Sequence, residues 1–382
     1  MDSEAGTKPG GTSHAPLLTI GIPTWNRARN LDNLLRNLVA ACPPDAQSHI
    51  EVLVSDNAST DDTGAVVTHF CESANFPIRY RRNEQNIGAV RNGIETLKAA
   101  HGRYWTFFGD DDEVVCENLP EILRLLSAED APTVAVFRSD PCRPPWCFEH
   151  DEDLSSAEAA ERLFYYAGNA GRFAVRTGRA LEALSLLPES GWTCWPQTEL
   201  MFVAMALSRE PEPLHVSPLV SASSKHHGSN IVYTSYHMAE TPMLALYRAS
   251  ARIRPYVGNE VADAAATTAV GWRSVSPRLE PIFFYKVFSD LPEDIRALRR
   301  ATTRTLRMGR FGFLRPLLVL WLLAHTPRWL DRLALGAFLV VKYRRGARIQ
   351  WGNYAAAYPR ERRLEAAESS GRIRAHTPRD LE

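Results

Sequence analysis

The chain has 382 residues, of which 45% are hydrophobic and 23% charged, and its 44 Lys and Arg balance 44 Asp and Glu. These values are those of an ordinary globular protein, long enough for one large domain with extensions or for two domains. The charge is unevenly placed, because residues 291–382 carry 19 basic and 8 acidic side chains. An acidic body with a basic C-terminal part suggests that this part meets something anionic, such as a membrane surface.

The N-terminal stretch is small, polar and acidic, and it lacks the basic and apolar regions of a signal peptide. We therefore predict a disordered leader over residues 1–15. The six cysteines are scattered without a CxxC pair, which indicates free thiols in a reducing compartment and a cytoplasmic protein. Cys142, Cys147 and His150 lie close together in sequence, but their irregular spacing and the want of an apparent fourth ligand argue against zinc.

Short apolar runs alternate with helical patterns over the first 140 residues. The apolar runs predict five strands, at residues 17–23, 50–56, 78–82, 104–108 and 133–138. Between them, apolar residues recur at helical spacing, and the sequence STDD after the second strand fits a capping box that opens a helix. The alternation predicts an α/β fold, a doubly wound and mainly parallel sheet.

Polar segments follow three of these strands: PTWNR after the first, SDNAST after the second and GDDD after the fourth. Sheets of this kind bind ligands at the carboxyl ends of their strands. Three adjacent carboxylates repel one another unless a cation or hydrogen-bond donors meet them. The functional interpretation is a divalent metal site, and the plain alternative is a solvated, acidic helix start. Neither the GxGxxG turn of dehydrogenases nor a P-loop occurs.

The pattern is less regular after residue 140. Trp192 and Trp195 precede a helical pattern around residues 199–207, and the polar loop at 224–230 contains adjacent histidines, His226 and His227. The sequence pattern of residues 240–310 predicts helices with few candidate catalytic or binding residues.

Two strongly apolar segments follow, at residues 313–324 and 329–341. Each is shorter than the ~20 residues that a single membrane span needs. Interfacial helices and a buried helical pair over the sheet are both compatible with them. The basic sequence VKYRRGAR directly afterwards favours membrane contact.

Taken together, the segments at the strand ends resemble those of the GT-A glycosyltransferases of the large inverting family 2. TIGIPTWNR resembles that family's first strand and nucleotide-binding turn, and VLVSDNASTDDT resembles its second strand and acidic turn. NEQNIGAVRNGIETLKAAHGRYWTFFGDDD resembles its Asn-x-Gly…Arg-Asn helix, Gly-x-Tyr strand and DXD metal motif. The resemblance covers about residues 17–138, and the FFGDDD and SDNAST variants are similar to the abequosyltransferase-like branch.

The resemblance implies a Rossmann-like nucleotide-binding half and transfer of a sugar from a nucleotide-diphosphate sugar, with UDP expected as the nucleotide. Departure of the diphosphate builds negative charge, which Mn²⁺ or Mg²⁺ offsets. By resemblance, Asp112 is the metal ligand, Asp110 contacts the donor ribose or an ion-bound water, and Asp111 has a lesser role. Surface helix caps are the structural alternative for Asp110 and Asp112.

The other implied donor contacts come from the first two turns and the following helix. Asp56 matches the acidic residue that reads the nucleobase edge, and Asn57 replaces the family's usual second Asp. An Asx turn that closes the strand is the alternative for Asp56. The remaining predicted donor contacts are Pro23, Thr24 and Asn26 at the nucleoside, and Arg91 at the diphosphate. Arg91 has the alternative of an exposed helix residue.

An inverting transfer needs a base that deprotonates the acceptor hydroxyl. Glu199 lies 87 residues after Asp112, a separation that the resemblance implies for this base, and Glu189 is a rival. The nearby tryptophans could stack on sugars or belong to a core. His226 or His227 is a further candidate metal ligand, with a plain polar loop as the alternative.

We expect an acceptor on a glycolipid, a polysaccharide or a small natural product, no nucleic-acid partner, and peripheral membrane contact through the basic C-terminal part. Two alternative functions are a nucleotidyltransferase that makes NDP-sugars and a non-catalytic sugar-nucleotide binder. The predicted organisation is a leader (1–15), a GT-A domain (16–230), a helical extension (231–310), apolar and membrane-associated helices (311–350) and a basic, flexible tail (351–382).

Overall fold

The structure is a computed structural model that describes residues 15–140, 147–164, 168–187, 196–223 and 242–270, together with parts of 296–330. Contacts divide the chain into two units, the first comprising Met1–Ser229 and Ala245–Ala269 and the second the remainder. The predicted leader, apart from residue 15, and the predicted tail lie outside the described residues.

The first unit contains nine described strands and nine described α-helices, the last of which begins at Pro242 and ends at Val270, just beyond the unit at both ends. The strands are β1 Leu18–Thr24, β2 Ile50–Asp56, β3 Ile78–Arg82, β4 Tyr104–Phe107, β5 Glu113–Val114, β6 Val134–Asp140, β7 Glu152–Leu154, β8 Phe173–Arg176 and β9 Leu214–Ser223. The helices are α1 Ala28–Ala41, α2 Pro44–Gln47, α3 Thr63–Ser73, α4 Ala89–Lys98, α5 Leu119–Ser127, α6 Ser156–Leu163, α7 Thr177–Leu186, α8 Pro196–Ala206 and α9 Pro242–Val270. In α9 the backbone is non-helical at Gly258, where φ is 82°, so α9 is two helices joined at a kink.

The strands form one mixed sheet in the order β3-β2-β1-β4-β8-β6-β9-β5, with β7 also paired to β9. The first four strands of this order are parallel, as are β6 and β9, while β8 runs antiparallel to both β4 and β6. The predicted α/β architecture with a mainly parallel sheet is confirmed. The sequence did not predict β5, β7, β8 or β9, because three of them have only two to four residues and β9 contains an internal proline, Pro218.

Helices cover both faces of the parallel half. Leu31, Leu35 and Leu38 of α1 are fully buried and belong to the same core as Ile20 and Ile22 of β1. On the opposite face α4 packs on β1 and β2, with α7 and α8 beside it. The parallel half of the sheet therefore lies between two helical layers.

The start of α3 differs from the predicted capping box. The helix begins at Thr63, and the residue before it, Asp62, makes no side-chain cap. Instead Asp61 Oδ1 accepts hydrogen bonds from the backbone N–H and hydroxyl of Thr63, and its Oδ2 accepts one from the backbone N–H of Ala28. The capping-box prediction is wrong because one carboxylate serves the first turns of both α1 and α3.

The cysteines follow the free-thiol expectation only in part. Cys42, Cys71 and Cys116 are free thiols. Cys147 is disulfide-bonded, so the expectation is wrong at this residue.

The described part of the second unit includes α10, Leu314–His325. Leu318 and Leu322 of α10 are about half exposed, as are Trp329 and Leu330 beyond it, whereas Leu317 and Ala324 are buried. Among the described residues, none of the helices combines the length and the apolar character that crossing a membrane would take.

Contact between α4 and β1 gives a first prediction. A Cβ added at Gly21 would lie 2.5 Å from Oγ1 of Thr96, and that hydroxyl is held between the carbonyl of Gly93 and the indole N–H of Trp105. Gly21→Ala should lower the free energy of unfolding by about 1–3 kcal/mol, the usual cost of overpacking.

Gly93→Ala is the matched control, because no atom lies within 4 Å of a Cβ there. In the middle of α4 it should leave stability unchanged or raise it by up to ~1 kcal/mol. Urea denaturation measures both changes, and equal stability of the two variants would contradict the predicted packing.

Candidate active site

The carboxyl ends of β1, β2 and β3 lie side by side. Thr24 pairs with Asp56 across β1 and β2, and Asp56 pairs with Arg82 across β2 and β3. The backbone N–H of Asn57 donates to the carbonyl of Thr24 at 2.9 Å, and that of Asn83 donates to the carbonyl of Asp56 at 2.9 Å. The parallel pairing therefore continues past the strand ends and fixes the three following turns.

The PTWNR turn is joined to the turn after β2. Asn26 has a positive φ of 52°, and its backbone N–H donates to Oγ of Ser59 at 2.9 Å. The side-chain oxygen of Asn26 accepts from the backbone N–H of Thr60 at 2.7 Å. Pro23 pairs with Ser55 inside the sheet. The structure thus brings the predicted nucleoside contacts together, with the amide oxygen of Asn26 engaged by the neighbouring turn.

The acidic loop after β4 lies beside β1. The carboxylate of Asp110 is almost fully buried, and its Oδ2 accepts from the hydroxyl of Thr24 at 2.8 Å. The guanidinium of Arg27 lies between two carboxylates, with Nη1 3.0 Å from Oδ1 of Asp110 and Nη2 2.9 Å from Oδ2 of Asp111. Sequence reasoning missed Arg27, although it is the last residue of the quoted PTWNR motif.

Burial raises the pKa of Asp110 to about 6. Arg27 and the hydroxyl of Thr24 act against this shift, and the charges of Asp111 and Asp112 add to it. The guanidinium of Arg27 thus pairs with two of the three consecutive carboxylates of the loop. Oδ2 of Asp112 accepts from the backbone N–H of Gly109 at 3.0 Å, which closes the loop into a tight turn.

Among the described residues, no three His, Cys, Asp or Glu side chains are grouped as a complete metal site. Oxygen ligands nevertheless suit Mg²⁺ and Mn²⁺, and Mg²⁺ commonly takes one or two carboxylates together with substrate phosphates. Arg27 already places a cation between Asp110 and Asp111. The chemistry of the donor set therefore fits a divalent ion.

Asp56 is fully buried and its carboxylate has three donors from the protein. Oδ1 accepts from the backbone N–H of Ser59 at 2.8 Å, which is the Asx turn considered as the alternative. Oδ2 accepts from the hydroxyl of Tyr80 at 2.7 Å and pairs with Arg82 at 3.1 Å. Burial and the contact with Asp56 raise the pKa of Tyr80 to about 12, so the phenol remains a donor. The base-reading role of Asp56 stays a prediction.

Asn57 lies at the centre of a network of asparagines. Its Nδ2 donates to Oδ1 of Asn86 at 2.8 Å, and its Oδ1 accepts from the backbone N–H of Ile87 at 2.9 Å and from Nδ2 of Asn83 at 3.2 Å. Asn83 also donates to Oδ1 of Asn92 at 2.9 Å. The network holds the loop that leads into α4. Sequence reasoning missed Asn83 and Asn86, although the repeated asparagines of NEQNIGAVRN were a visible signal.

The predicted diphosphate contact, Arg91, lies on the helix that follows this network. Arg91 is exposed in the first turn of α4. The loop before this helix is held by the hydrogen bond from the backbone N–H of Ile87 to Asn57. Trp25, which the sequence reasoning did not select, is half exposed directly after the buried Thr24. The diphosphate contact assigned to Arg91 stays a prediction.

The predicted base, Glu199, lies on α8. Its side chain is fully buried, with Oε2 2.9 Å from Nε of Arg252 on α9. This contact is typical of a structural ion pair, and the role of general base stays a prediction. The other residues considered for catalysis, metal binding or sugar stacking lie outside the described residues: Glu189, Trp192, Trp195, His226 and His227.

The network around Asn57 gives a second prediction. Asn57→Asp removes the donor to Asn86 and sets two acceptor oxygens against each other, so the loop before α4 should open locally. The free energy of local opening of this loop should fall by about 1–3 kcal/mol. Hydrogen exchange at residues 84–88 measures this opening.

Asn86→Asp is the control with the same change of charge. Oδ1 of Asn86 only accepts hydrogen bonds, from Asn57 and from the backbone N–H of Gly88, and a carboxylate preserves both. The control should exchange at the wild-type rate. Equal protection in both variants would show that Asn57 does not hold the loop.

Solved structures share this fold at low sequence identity. S. aureus TarS 1-349 in complex with UDP-GlcNAc superposes with a TM-score of 0.61 at 17% identity, over 87% of this chain and 93% of TarS 1-349. The mannosyltransferase PcManGT from Pyrobaculum calidifontis, in complex with GDP-Man and Mn²⁺, superposes with a TM-score of 0.52 at 16% identity. The superposition covers 84% of this chain and 88% of PcManGT. The predicted GT-A architecture is confirmed by these likenesses, which concern the fold alone.

Curated relatives match shorter stretches. Abequosyltransferase RfbV of Salmonella typhimurium is 35% identical over 113 residues, 30% of this chain and 33% of its own. Validoxylamine A glucosyltransferase of Streptomyces hygroscopicus subsp. jinggangensis is 41% identical over 95 residues, 24% and 22% of the two chains. GalNAc(5)-diNAcBac-PP-undecaprenol beta-1,3-glucosyltransferase of Campylobacter jejuni is 32% identical over 111 residues, which are 28% of this chain and 34% of its own. The matches thus span about a third or less of each relative.

The model of the family described as glycosyl transferase family 2 matches residues 19–172, which include β1 to β4, the acidic loop and the asparagine network. The earlier resemblance to this family is therefore confirmed over residues 19–172, the part of the chain that its model matches.

Proposed function

We propose that this chain is a glycosyltransferase that moves a sugar from a nucleotide-diphosphate sugar to an acceptor hydroxyl, with inversion at the transferred carbon. The observation that carries the proposal is the acidic loop bound to the first nucleotide-side turn, through Thr24, Asp110 and Arg27. This arrangement places three consecutive carboxylates beside the turn that the family uses for a nucleotide.

The chemistry requires a means of offsetting charge on the departing diphosphate. A bound Mg²⁺ or Mn²⁺ would supply that charge, held by Asp110 and by one or both of its acidic neighbours, Asp111 and Asp112. The hydroxyl of Thr24 orients the carboxylate of Asp110, and the bond from the backbone N–H of Gly109 orients that of Asp112. PcManGT is described with Mn²⁺ bound, which supports the assignment.

The nucleotide is proposed to lie over the ends of β1 and β2, with its base near Asp56 and Asn57 and its diphosphate towards Arg91 and the acidic loop. TarS is described with UDP-GlcNAc bound, which supports a UDP-sugar donor. Because the oxygens of Asp56 already accept three hydrogen bonds, its first effect is to hold Ser59, Tyr80 and Arg82 in place. Contact with the base would be a further interaction.

For the acceptor we propose a lipid-linked sugar reached at the cytoplasmic face of a membrane. The name of the Campylobacter relative specifies an undecaprenol-linked substrate, while that of the Streptomyces relative specifies a small molecule. The half-exposed Leu318, Leu322 and Trp329 and the basic sequence beyond them favour the lipid-linked choice.

Release of nucleoside diphosphate from the donor tests the reaction. With Mn²⁺ and no acceptor, the wild-type protein should hydrolyse the donor slowly. A non-catalytic binder should release no nucleoside diphosphate. A nucleotidyltransferase would instead form a donor from sugar phosphate and nucleoside triphosphate.

Asp110→Asn and Asp112→Asn should each lower metal-dependent release by about two to three decades, the usual cost of removing one strong electrostatic contact. Asp130→Asn, at an exposed carboxylate after α5, is the control and should keep wild-type turnover. Full turnover in EDTA, or in the Asp112→Asn variant, would refute the metal-dependent mechanism.

Vesicle flotation tests the proposed acceptor surface. Full-length protein should float with anionic vesicles and much less with neutral ones, since each basic residue near an anionic surface contributes ~1 kcal/mol. Leu318→Ser with Leu322→Ser should weaken flotation, because both side chains are half exposed on α10. Absence of flotation with either vesicle would remove the support for a membrane-bound acceptor.

A further inference from the structure

Arg27 occupies the oxygens that a metal ion would need. Both oxygens of Asp110 are engaged, Oδ1 by Arg27 and Oδ2 by Thr24, and Oδ2 of Asp111 is engaged by the same guanidinium. A divalent ion at this pair would lie close to a guanidinium, and two cations repel at such a distance. The ion and Arg27 therefore compete for the same carboxylates.

The side chain of Arg27 is more exposed to solvent than the carboxylate of Asp110 that it contacts. Arg27 directly precedes α1, and its side chain is 38% exposed, whereas that of Asp110 is only 6% exposed. A guanidinium also binds phosphate through two parallel hydrogen bonds. A diphosphate arriving at the end of β1 thus offers Arg27 an alternative anionic partner.

We propose that Arg27 is a built-in counter-ion of the acidic loop, which must leave Asp110 and Asp111 before a divalent cation binds there and which then pairs with the donor diphosphate. The inference rests on the proposed metal-dependent function. It makes Arg27 a positioning residue that couples two binding events. The ion binds weakly alone, the nucleoside diphosphate releases Arg27 from the carboxylates, and each ligand raises the affinity of the other by the same factor.

The test is Mn²⁺ binding to the full-length protein, measured by electron paramagnetic resonance of the free ion with and without UDP. Arg27→Gln should bind Mn²⁺ without UDP about tenfold more tightly than wild type, because a competing charge-assisted pair is gone. It should also show a smaller gain in Mn²⁺ affinity on adding UDP. Arg27→Lys keeps the charge but lacks the planar guanidinium that spans two carboxylates. Its Mn²⁺ affinity without UDP should lie between those of wild type and Arg27→Gln.

Arg29→Gln is the matched control, since it removes the same charge two residues further on, at an exposed position of α1. It should change Mn²⁺ affinity by less than about twofold, because separated surface charges are screened.

Two results would overturn the proposal. If wild type binds Mn²⁺ with UDP but both Arg27 variants bind Mn²⁺ alone no more tightly than wild type, Arg27 does not compete with the ion, and the proposed function survives. If wild type binds no Mn²⁺ even with UDP, the metal-dependent function and this inference fail together.

Discussion

The hydrogen bond from Thr24 to Asp110 is the contact on which the site depends. It joins the end of β1 to the loop after β4, two segments 86 residues apart in sequence. A hydroxyl that donates to a buried carboxylate fixes the direction of that carboxylate and favours its charged form, against the burial that raises its pKa. The parallel pairing of β1 with β4 brings the two residues within reach.

The two parts of the site are held together by different contacts. In the acidic loop, the partly exposed Arg27 pairs with two of three consecutive carboxylates. The segments after β2 and β3 are joined by amides, from Asn57 to Asn86 and from Asn83 to Asn92, together with the buried carboxylate of Asp56. Neutral amides hold a loop without adding to the negative charge that a diphosphate would meet. Replacement of the family's second Asp by Asn57 is consistent with this division.

Much of the parallel half of the sheet could be predicted from the sequence, because its strands are apolar and its first helices have a clear apolar face. The bounds of β2 and β3 match the prediction, and the apolar residues predicted for α1 point into the core. The later strands could not be found in this way. β8 has four residues and owes its place to pairing between β4 and β6, which is a tertiary contact that no local pattern records.

The candidate site shows the same limit. The motifs identified which segments meet, since parallel strands carry their polar ends to one edge of the sheet. They did not identify the partners within the site, because Arg27 and Asn86 acquire their roles from side chains that are distant in sequence. Glu199 had a suitable separation from Asp112, but sequence spacing carries no information on burial or on its ion pair with Arg252.

The central claim is that the strand ends form a metal-dependent site for a nucleotide-diphosphate sugar. Thermal unfolding of the wild-type protein across a panel of NDP-sugars, each with Mn²⁺ and with EDTA, tests it most directly. A ligand at a hundredfold its dissociation constant adds ~2.7 kcal/mol to stability, which is a shift of several degrees for a domain of this size. The account predicts that one NDP-sugar, expected to be a UDP-sugar, raises the unfolding midpoint in the presence of Mn²⁺. The same sugar should give no rise in EDTA. Unchanged midpoints for every NDP-sugar, or an equal shift in EDTA, would contradict it.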